Sequence, residues 1–150
     1  MLVIRPMELE DCPAVSQIDQ ICFTDPWSLT MFQDLFQYSA NYYFVVEKNG
    51  KICGFAGILV SMDTADIMNI AVLPEHRGGG IGGQLLECLL NQALQCDCCQ
   101  MFLEVRESNQ SARNLYVKYG FVQIAVRKNY YSDPVEHGIV MQKTLEETTS

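Results

Sequence analysis

The chain has 150 residues, 49% of them hydrophobic, with ten basic residues against eighteen acidic ones and a formal net charge of −8. That length and apolar content suit one α/β domain over residues 1–150 with a substantial core, and leave no room for a second. Nucleic acid is not expected as a partner because a basic stripe is missing, and membrane is not expected because no apolar run approaches the ~20 residues of a span.

The amino terminus, Met1-Leu2-Val3-Ile4-Arg5, carries no cationic leader followed by a long apolar stretch and a cleavage site, so a cytoplasmic protein is expected. Seven cysteines, an odd number, lie mostly inside apolar segments, which suggests reduced thiols serving as small core residues. Cys96-Asp97-Cys98-Cys99 invites a metal reading, but no paired second Cys or His cluster sits at finger spacing, and no metal is expected.

In chain order, Leu2 to Arg5 reads as a short strand. Asp11 is an N-cap candidate with Pro13 in the first turn of a helix whose apolar face is Val15, Ile18, Ile21 and Cys22. Phe23-Thr24-Asp25-Pro26-Trp27 breaks the periodicity, and Ser28 caps a second helix through Met31, Phe32, Leu35 and Phe36. Trp27 in that loop reads either as a lid over a substrate or as an anchor packing the loop down. Tyr42 to Glu47 and Lys51 to Val60 flank Lys48-Asn49-Gly50, a hairpin signal, and Met62 to Ala65 turns the chain into a strand over Asp66 to Leu73.

That strand feeds Pro74-Glu75-His76-Arg77 and then Gly78-Gly79-Gly80-Ile81-Gly82-Gly83, which opens a helix running to about Gln95. Five glycines in six positions free the backbone of Cβ atoms, so successive N–H groups can converge while the helix adds its own unpaired donors and positive dipole end. The result is an anion site suited to a phosphate or pyrophosphate. Gly78, Gly80 and Gly83 also satisfy G-x-G-x-x-G, with Glu104 about twenty residues on, as a dinucleotide fold would want. Against that reading, four residues intervene between strand and first glycine, and too little chain follows for a six-stranded doubly wound sheet. A Walker loop fails because no Lys-Ser or Lys-Thr closes it.

Cys99 to Val105 then reads as a buried strand parallel to the one before the loop, joined by a right-handed crossover. Ser108 or Asn109 caps a helix carrying Ala112, Leu115, Tyr116 and Tyr119, with Gly120 at its end. Val122 to Val126 and Gly138 to Leu145 close the sheet, separated by a loop from Arg127 to His137, and Glu146 to Ser150 reads as a frayed tail.

Arg77-x-x-Gly80-x-Gly82 resembles the R/Q-x-x-G-x-G/A acyl-CoA signature of the GCN5-related N-acetyltransferase (GNAT) superfamily. So does the order strand, two helices, three strands, helix, strand, helix, two strands, which covers nearly the whole chain. Pro26-Trp27-Ser28, Ile70-Ala71-Val72, Leu103 to Arg106, Asn109-x-x-Ala112, Leu115-Tyr116-x-x-x-Gly120-Phe121 and Arg127-Lys128-Asn129-Tyr130-Tyr131 are similar to the ribosomal-protein-alanine N-acetyltransferase (RimI) family. The resemblance implies a single mixed, mostly antiparallel sheet, splayed into a V between its central parallel strands and flanked by helices on both faces. It also implies acetyl-CoA as cosubstrate and the α-amine of a small-subunit ribosomal protein beginning with alanine as acceptor.

By the same resemblance, the backbone along Ile70-Ala71-Val72 would hold the pantetheine arm and thioester. Arg77, Gly78, Gly79, Gly80, Ile81, Gly82 and Gly83 would hold the pyrophosphate, and Asn109 would touch the cofactor. Glu104 would be the general base and Tyr116 the general acid, while Trp27, Tyr130 and Tyr131 would line the peptide entrance. Gly83 departs from the Arg or Lys that relatives often carry. The acidic balance suits a basic ribosomal-protein terminus as partner, with the protein itself a monomer or weak dimer. A small-molecule amine acetyltransferase and a non-catalytic acyl-CoA-binding module stand as alternatives, the latter disfavoured by the joint presence of Glu104 and Tyr116.

Overall fold

The computed structural model describes residues 1–145; the tail read at Glu146 to Ser150 lies outside them. Strand β1 (Leu2–Pro6) leads through a 3-10 turn to helix α1 (Cys12–Cys22), then helix α2 (Leu29–Asp34) with a 3-10 extension to Gln37. Strands β2 (Asn41–Lys48), β3 (Lys51–Ser61) and β4 (Thr64–Val72) form the antiparallel meander. Helix α3 (Ile81–Gln95), strand β5 (Gln100–Arg106), helix α4 (Gln110–Lys118) and strands β6 (Val122–Tyr131) and β7 (Glu136–Thr144) complete the chain. The element order expected of the GNAT fold is the one observed.

Local chemistry explains most of the boundaries. Asn49 and Gly50 take positive φ, 54° and 83°, which matches the twist of the β2–β3 hairpin. Ser28 Oγ accepts from the N–H of Met31 and caps α2. Asp11 does not cap α1 with its side chain as expected. Its carboxylate instead takes both terminal nitrogens of Arg5, at 2.8 and 2.9 Å, and the N–H of Glu8 at 2.7 Å. A forked guanidinium outcompetes a single helix N–H for a buried carboxylate. The Met62 to Ala65 turn is also shorter than read, since β4 already begins at Thr64.

The seven strands lie in the order β1-β2-β3-β4-β5-β7-β6. All neighbours are antiparallel except β4 and β5, which pair over Thr64↔Gln100, Ala65↔Met101 and Asp66↔Phe102 and then part. Each keeps its outer partner beyond that point: Val72 remains opposite Gly54 on β3, and Arg106 opposite Gly138 on β7. The sheet therefore opens as a V at its centre. Helices α1 and α2 cover one face over Val15, Ile18, Phe32, Val45 and Phe55. The other face packs α3 and Tyr116 of α4 over Ala56, Ile58, Met101, Leu103 and Phe121. Burying both faces makes the sheet a rigid support, so the gap between β4 and β5 is held open rather than closed by collapse.

Candidate active site

One wall of the gap is the open edge of β4. Leu73 donates its N–H to Cys53 O on β3 at 2.8 Å, which fixes the alternation along the strand. The N–H and C=O groups of Ile70 and Val72 consequently point away from β3, toward the gap, while Ala71 faces β3 and buries its side chain under α1. Val72 O is occupied, accepting Arg77 Nε at 2.8 Å and lying 3.6 Å from Cys22 Sγ. Arg77 is thus folded back on the strand end, with its Nη2 3.5 Å from Cys22 Sγ, and braces the head of the loop.

Gly78 and Gly80 take φ of +87° and +84°, conformations that residues with a Cβ adopt only under strain. A Cβ at Gly78, Gly79 or Gly80 would meet nothing within 4 Å, so this surface is open to a ligand. Gly80 caps α3 without a side chain, leaving the first N–H groups of that helix unpaired. Ile81, 5% exposed, plugs the loop into the core. At Gly82 an added Cβ would make ordinary contact with Leu115, but at Gly83 it would come within 2.9 Å of Tyr119 Oη. The Tyr119 phenol, which donates to Glu87 at 2.9 Å, fills the space that a side chain at Gly83 would need.

The opposite wall is built from β5, α4 and the end of β6. Glu104 Oε1 pairs with Arg127 Nε at 3.1 Å, whereas Glu104 Oε2 is buried without a hydrogen-bond partner among the described residues. Tyr130 and Tyr131 stack edge to face at 5.0 Å. The Glu104 charge, followed by burial, raises the Tyr130 phenol above its ordinary value. Tyr131 is pushed up to about 12 by burial first and Glu104 second. Tyr116 is 5% exposed, edge-on to Phe121 at 5.9 Å, and burial followed by the neighbouring Tyr131 drives its phenol upward, so it stays protonated. Asn109 caps α4, its Oδ1 accepting from the N–H of Ala112 at 3.3 Å.

The loop expected over Arg127 to His137 shrinks to the four residues between β6 and β7, so Tyr130 and Tyr131 sit on a strand end and not in a loop. The register explains how: Arg127 faces Gly138 and Tyr131 faces Glu136, so the Lys128-Asn129-Tyr130 segment bulges, with Asn129 at φ 52°. Gly138 accommodates the bulge, because a Cβ there would crowd both tyrosines at 3.2 to 3.3 Å. Trp27 packs its ring on Phe32 at 5.3 Å and donates its backbone N–H to the buried Asp19 carboxylate at 2.8 Å, which ties the α1–α2 loop down.

Arg106 closes the Leu103 to Arg106 motif, which assigns it no role. Its guanidinium reaches Glu136 Oε1 and Pro134 O at 3.0 Å, Ser132 O at 3.0 Å and Thr24 Oγ1 at 3.2 Å, and lies 4.5 Å over the Tyr131 ring. It joins the α1–α2 loop to the β6–β7 turn across the mouth of the gap. Its sequence signal is its place as a cation at the end of the buried strand β5. A hollow of about 290 Å³ beside the loop is lined by Lys48, His76, Arg77 and Gly79; a larger one near Leu35 and Tyr38 lies away from this chemistry. Among the described residues no group of three or more His, Cys, Asp or Glu could hold a metal ion, and no helix is long and apolar enough to cross a membrane.

A central V in the sheet, a glycine-lined helix start at its head with no side-chain cap, and open strand donors along β4 are the features of an acyl-CoA-dependent N-acyltransferase. The acetyltransferase (GNAT) family model matches residues 12–121, and the chain belongs to that family. The [ribosomal protein bS18]-alanine N-acetyltransferase of Escherichia coli (strain K12) is 36% identical over 143 residues, covering 94% of this chain and 96% of its own. A Bacillus subtilis (strain 168) protein provisionally given the same name is 39% identical over 145 residues, 96% of each chain. The crystal structure of the ribosomal-protein-S18-alanine N-acetyltransferase from Escherichia coli superposes with a TM-score of 0.91 at 34% identity, covering 100% of this chain and 97% of that one. The protein is accordingly an acetyl-CoA-dependent N-acetyltransferase.

Proposed function

We propose that this protein transfers the acetyl group of acetyl-CoA to the α-amine of an N-terminal alanine, on a small-subunit ribosomal protein of the bS18 type, in the cytoplasm. The observation that carries the reading is Glu104 on β5, past the point where β4 parts from it, with its Oε2 buried and without a hydrogen-bond partner among the described residues, across from the β4 segment that bears the open N–H groups of Ile70 and Val72. The names of the relatives supply the acceptor.

Pyrophosphate would rest on the N–H groups from Gly78 to Gly83, with Arg77 bracing the loop, and the pantetheine arm would run along β4. Asn109, as cap of the neighbouring helix, would border the cofactor. The amine nitrogen attacks the thioester carbon, and the Ile70 and Val72 N–H groups stabilise the oxygen as it becomes anionic. Glu104, directly or through water, accepts the proton that the amine loses. As the carbon–sulfur bond breaks, Tyr116 gives its proton to the departing thiolate, and buffer restores it. Trp27, Tyr130 and Tyr131 would frame the slot for an extended peptide end.

A free α-amine titrates near 7.7 to 8.0 and lysine near 10.4, so at neutral pH the terminal amine is deprotonated some hundreds-fold more often. A carboxylate base therefore suffices for a peptide terminus and falls short for lysine. The test is to present acetyl-CoA with an Ala-initiated basic peptide and with its N-terminally blocked, lysine-containing counterpart, and to locate the acetyl group by fragmentation mass spectrometry. The mark belongs on the terminal alanine, with KM rising as salt screens the acidic surface. Acetyl on lysine side chains, or on free polyamines at much higher kcat/KM, would overturn the reading.

A further inference from the structure

The β4 edge is aimed by a cross-strand row that none of the motifs contains. Tyr43 on β2, Gly57 on β3 and Asn69 on β4 are mutual register partners, Tyr43↔Gly57 and Gly57↔Asn69, and so share the face under α1. The Tyr43 ring lies flat across the middle strand: a Cβ built on Gly57 would come within 2.3 to 2.4 Å of three of its ring carbons. Across that glycine the Tyr43 hydroxyl donates to Asn69 Oδ1 at 2.5 Å, and both residues are buried, 7% and 9% exposed. The pairing slips at this point, because Gly57 faces Asn69 while Ile58 faces Ile67, which leaves Met68 as an extra residue on β4. Asn69 is thus the first residue after the bulge and the last before Ile70.

We propose that Tyr43 is a positioning residue for acetyl transfer: a strut laid across Gly57 that pins Asn69 and fixes the angle at which the bulged strand presents the Ile70 N–H to the thioester oxygen. The inference rests on the Ile70 donor role proposed above. A bulge re-aims the strand that carries it and is free to relax unless something holds it. A short hydrogen bond between two buried groups supplies that hold, because breaking it would leave Asn69 Oδ1 dry and unpaired. The requirement for glycine at 57 follows directly, since any side chain would push the ring off its partner. Tyr43 stands two strands away from the open edge of β4 and meets that strand through the Asn69 side chain, so its effect on the reaction passes through the backbone of Asn69 and Ile70.

The experiment compares wild type with Tyr43→Phe, which keeps the ring and removes the hydroxyl, and uses Phe55→Leu as a buried control on the same face. Two quantities are read: kcat with an Ala-initiated peptide against the Kd of acetyl-CoA, and the amide chemical-shift change at Ile70 and at Gly80 and Gly82 on adding acetyl-CoA. Removing an oxyanion donor outright costs about 10² to 10³ in kcat, so mis-aiming one should cost about tenfold. In Tyr43→Phe the expected result is that fall in kcat with Kd within twofold, a diminished shift at Ile70, and undiminished shifts at Gly80 and Gly82. Phe55→Leu lowers the melting temperature and leaves kcat and the Ile70 shift as in wild type. If the Ile70 amide does not move in wild type, the donor reading fails. If it moves equally in wild type and Tyr43→Phe, or if kcat is unchanged, Tyr43 is a packing residue and the strut is refuted.

Discussion

Tyr116→Phe separates packing from catalysis at a single atom. The ring is 5% exposed and lies edge-on to Phe121, and phenylalanine keeps both of these relations. Burial and the neighbouring Tyr131 raise the phenol above its ordinary value, so it remains an acid throughout the pH range in which the substrate amine becomes free. A positioned general acid is worth about 10² to 10⁴ in rate, or roughly 2.7 to 5.4 kcal/mol of barrier at 1.36 kcal/mol per decade. Tyr116→Phe should therefore lower kcat by about that factor while acetyl-CoA affinity stays within twofold and the melting temperature within about 4 °C. Tyr116→Ala, which also empties the core site, should cost roughly 3 to 5 kcal/mol of stability in addition. Single-turnover quench is the suitable assay, because product release can hide the chemical step. Wild-type activity should rise with pH through the amine titration near 8 and show no descending limb below about pH 10. An unchanged single-turnover rate in Tyr116→Phe would leave Tyr116 as a core aromatic and refute the assignment.

Gly80→Asp places a carboxylate where the loop offers only donors; a Cβ there meets nothing within 4 Å, and Asp tolerates the positive φ of Gly80 better than most residues, at a strain of about 1 kcal/mol, so the fold should survive and calorimetry should find acetyl-CoA affinity reduced at least a hundredfold. Equal affinity in the two proteins would remove the loop from the cofactor site. Asp11→Asn tests the Arg5 pair, in which the Asp11 side chain is 7% exposed and that of Arg5 29%. The Arg5 hydrogen bond holds the Asp11 carboxyl below its usual value, so its contribution is fully present above the unfolded value near 3.9 and is lost as pH falls through the folded one. The variant should be less stable by about 1.5 to 3 kcal/mol at pH 7, with the gap closing below about pH 4, as read by thermal melts across pH. A gap that persists undiminished at pH 2 would exclude the ion pair as its source.

Much of this fold was legible one segment at a time. Asn49-Gly50 announces its hairpin because few other pairs tolerate two positive φ values in succession. The glycine cluster announces an anion site because its donors come from consecutive residues and need no distant partner. Helices α1, α3 and α4 carry their apolar faces at helical spacing, and Asn109 caps its own helix within three residues. What the sequence by itself determined was therefore the local structure and its order, from which the family followed.

Tertiary structure decided the rest. Nothing in the run from Asp66 to Leu73 marks which backbone groups face β3 and which face the gap, because that depends on register with a strand on another segment and on a bulge at Met68. Tyr130 and Tyr131 read as loop residues because a three-residue bulge over Lys128-Asn129-Tyr130 breaks the alternation by which a strand is recognised. Asp11 read as a cap because a short acidic residue before a helix usually is one, and only folding brings Arg5 to it with a better offer. Arg106 meets Thr24 across 82 residues of chain, and Tyr43 meets Asn69 across a strand that belongs to neither. Hydrogen bonds and ion pairs act within a few ångströms of space without regard to separation in sequence. The donors of the site could be read from composition, whereas the direction in which they point exists only once the sheet has paired.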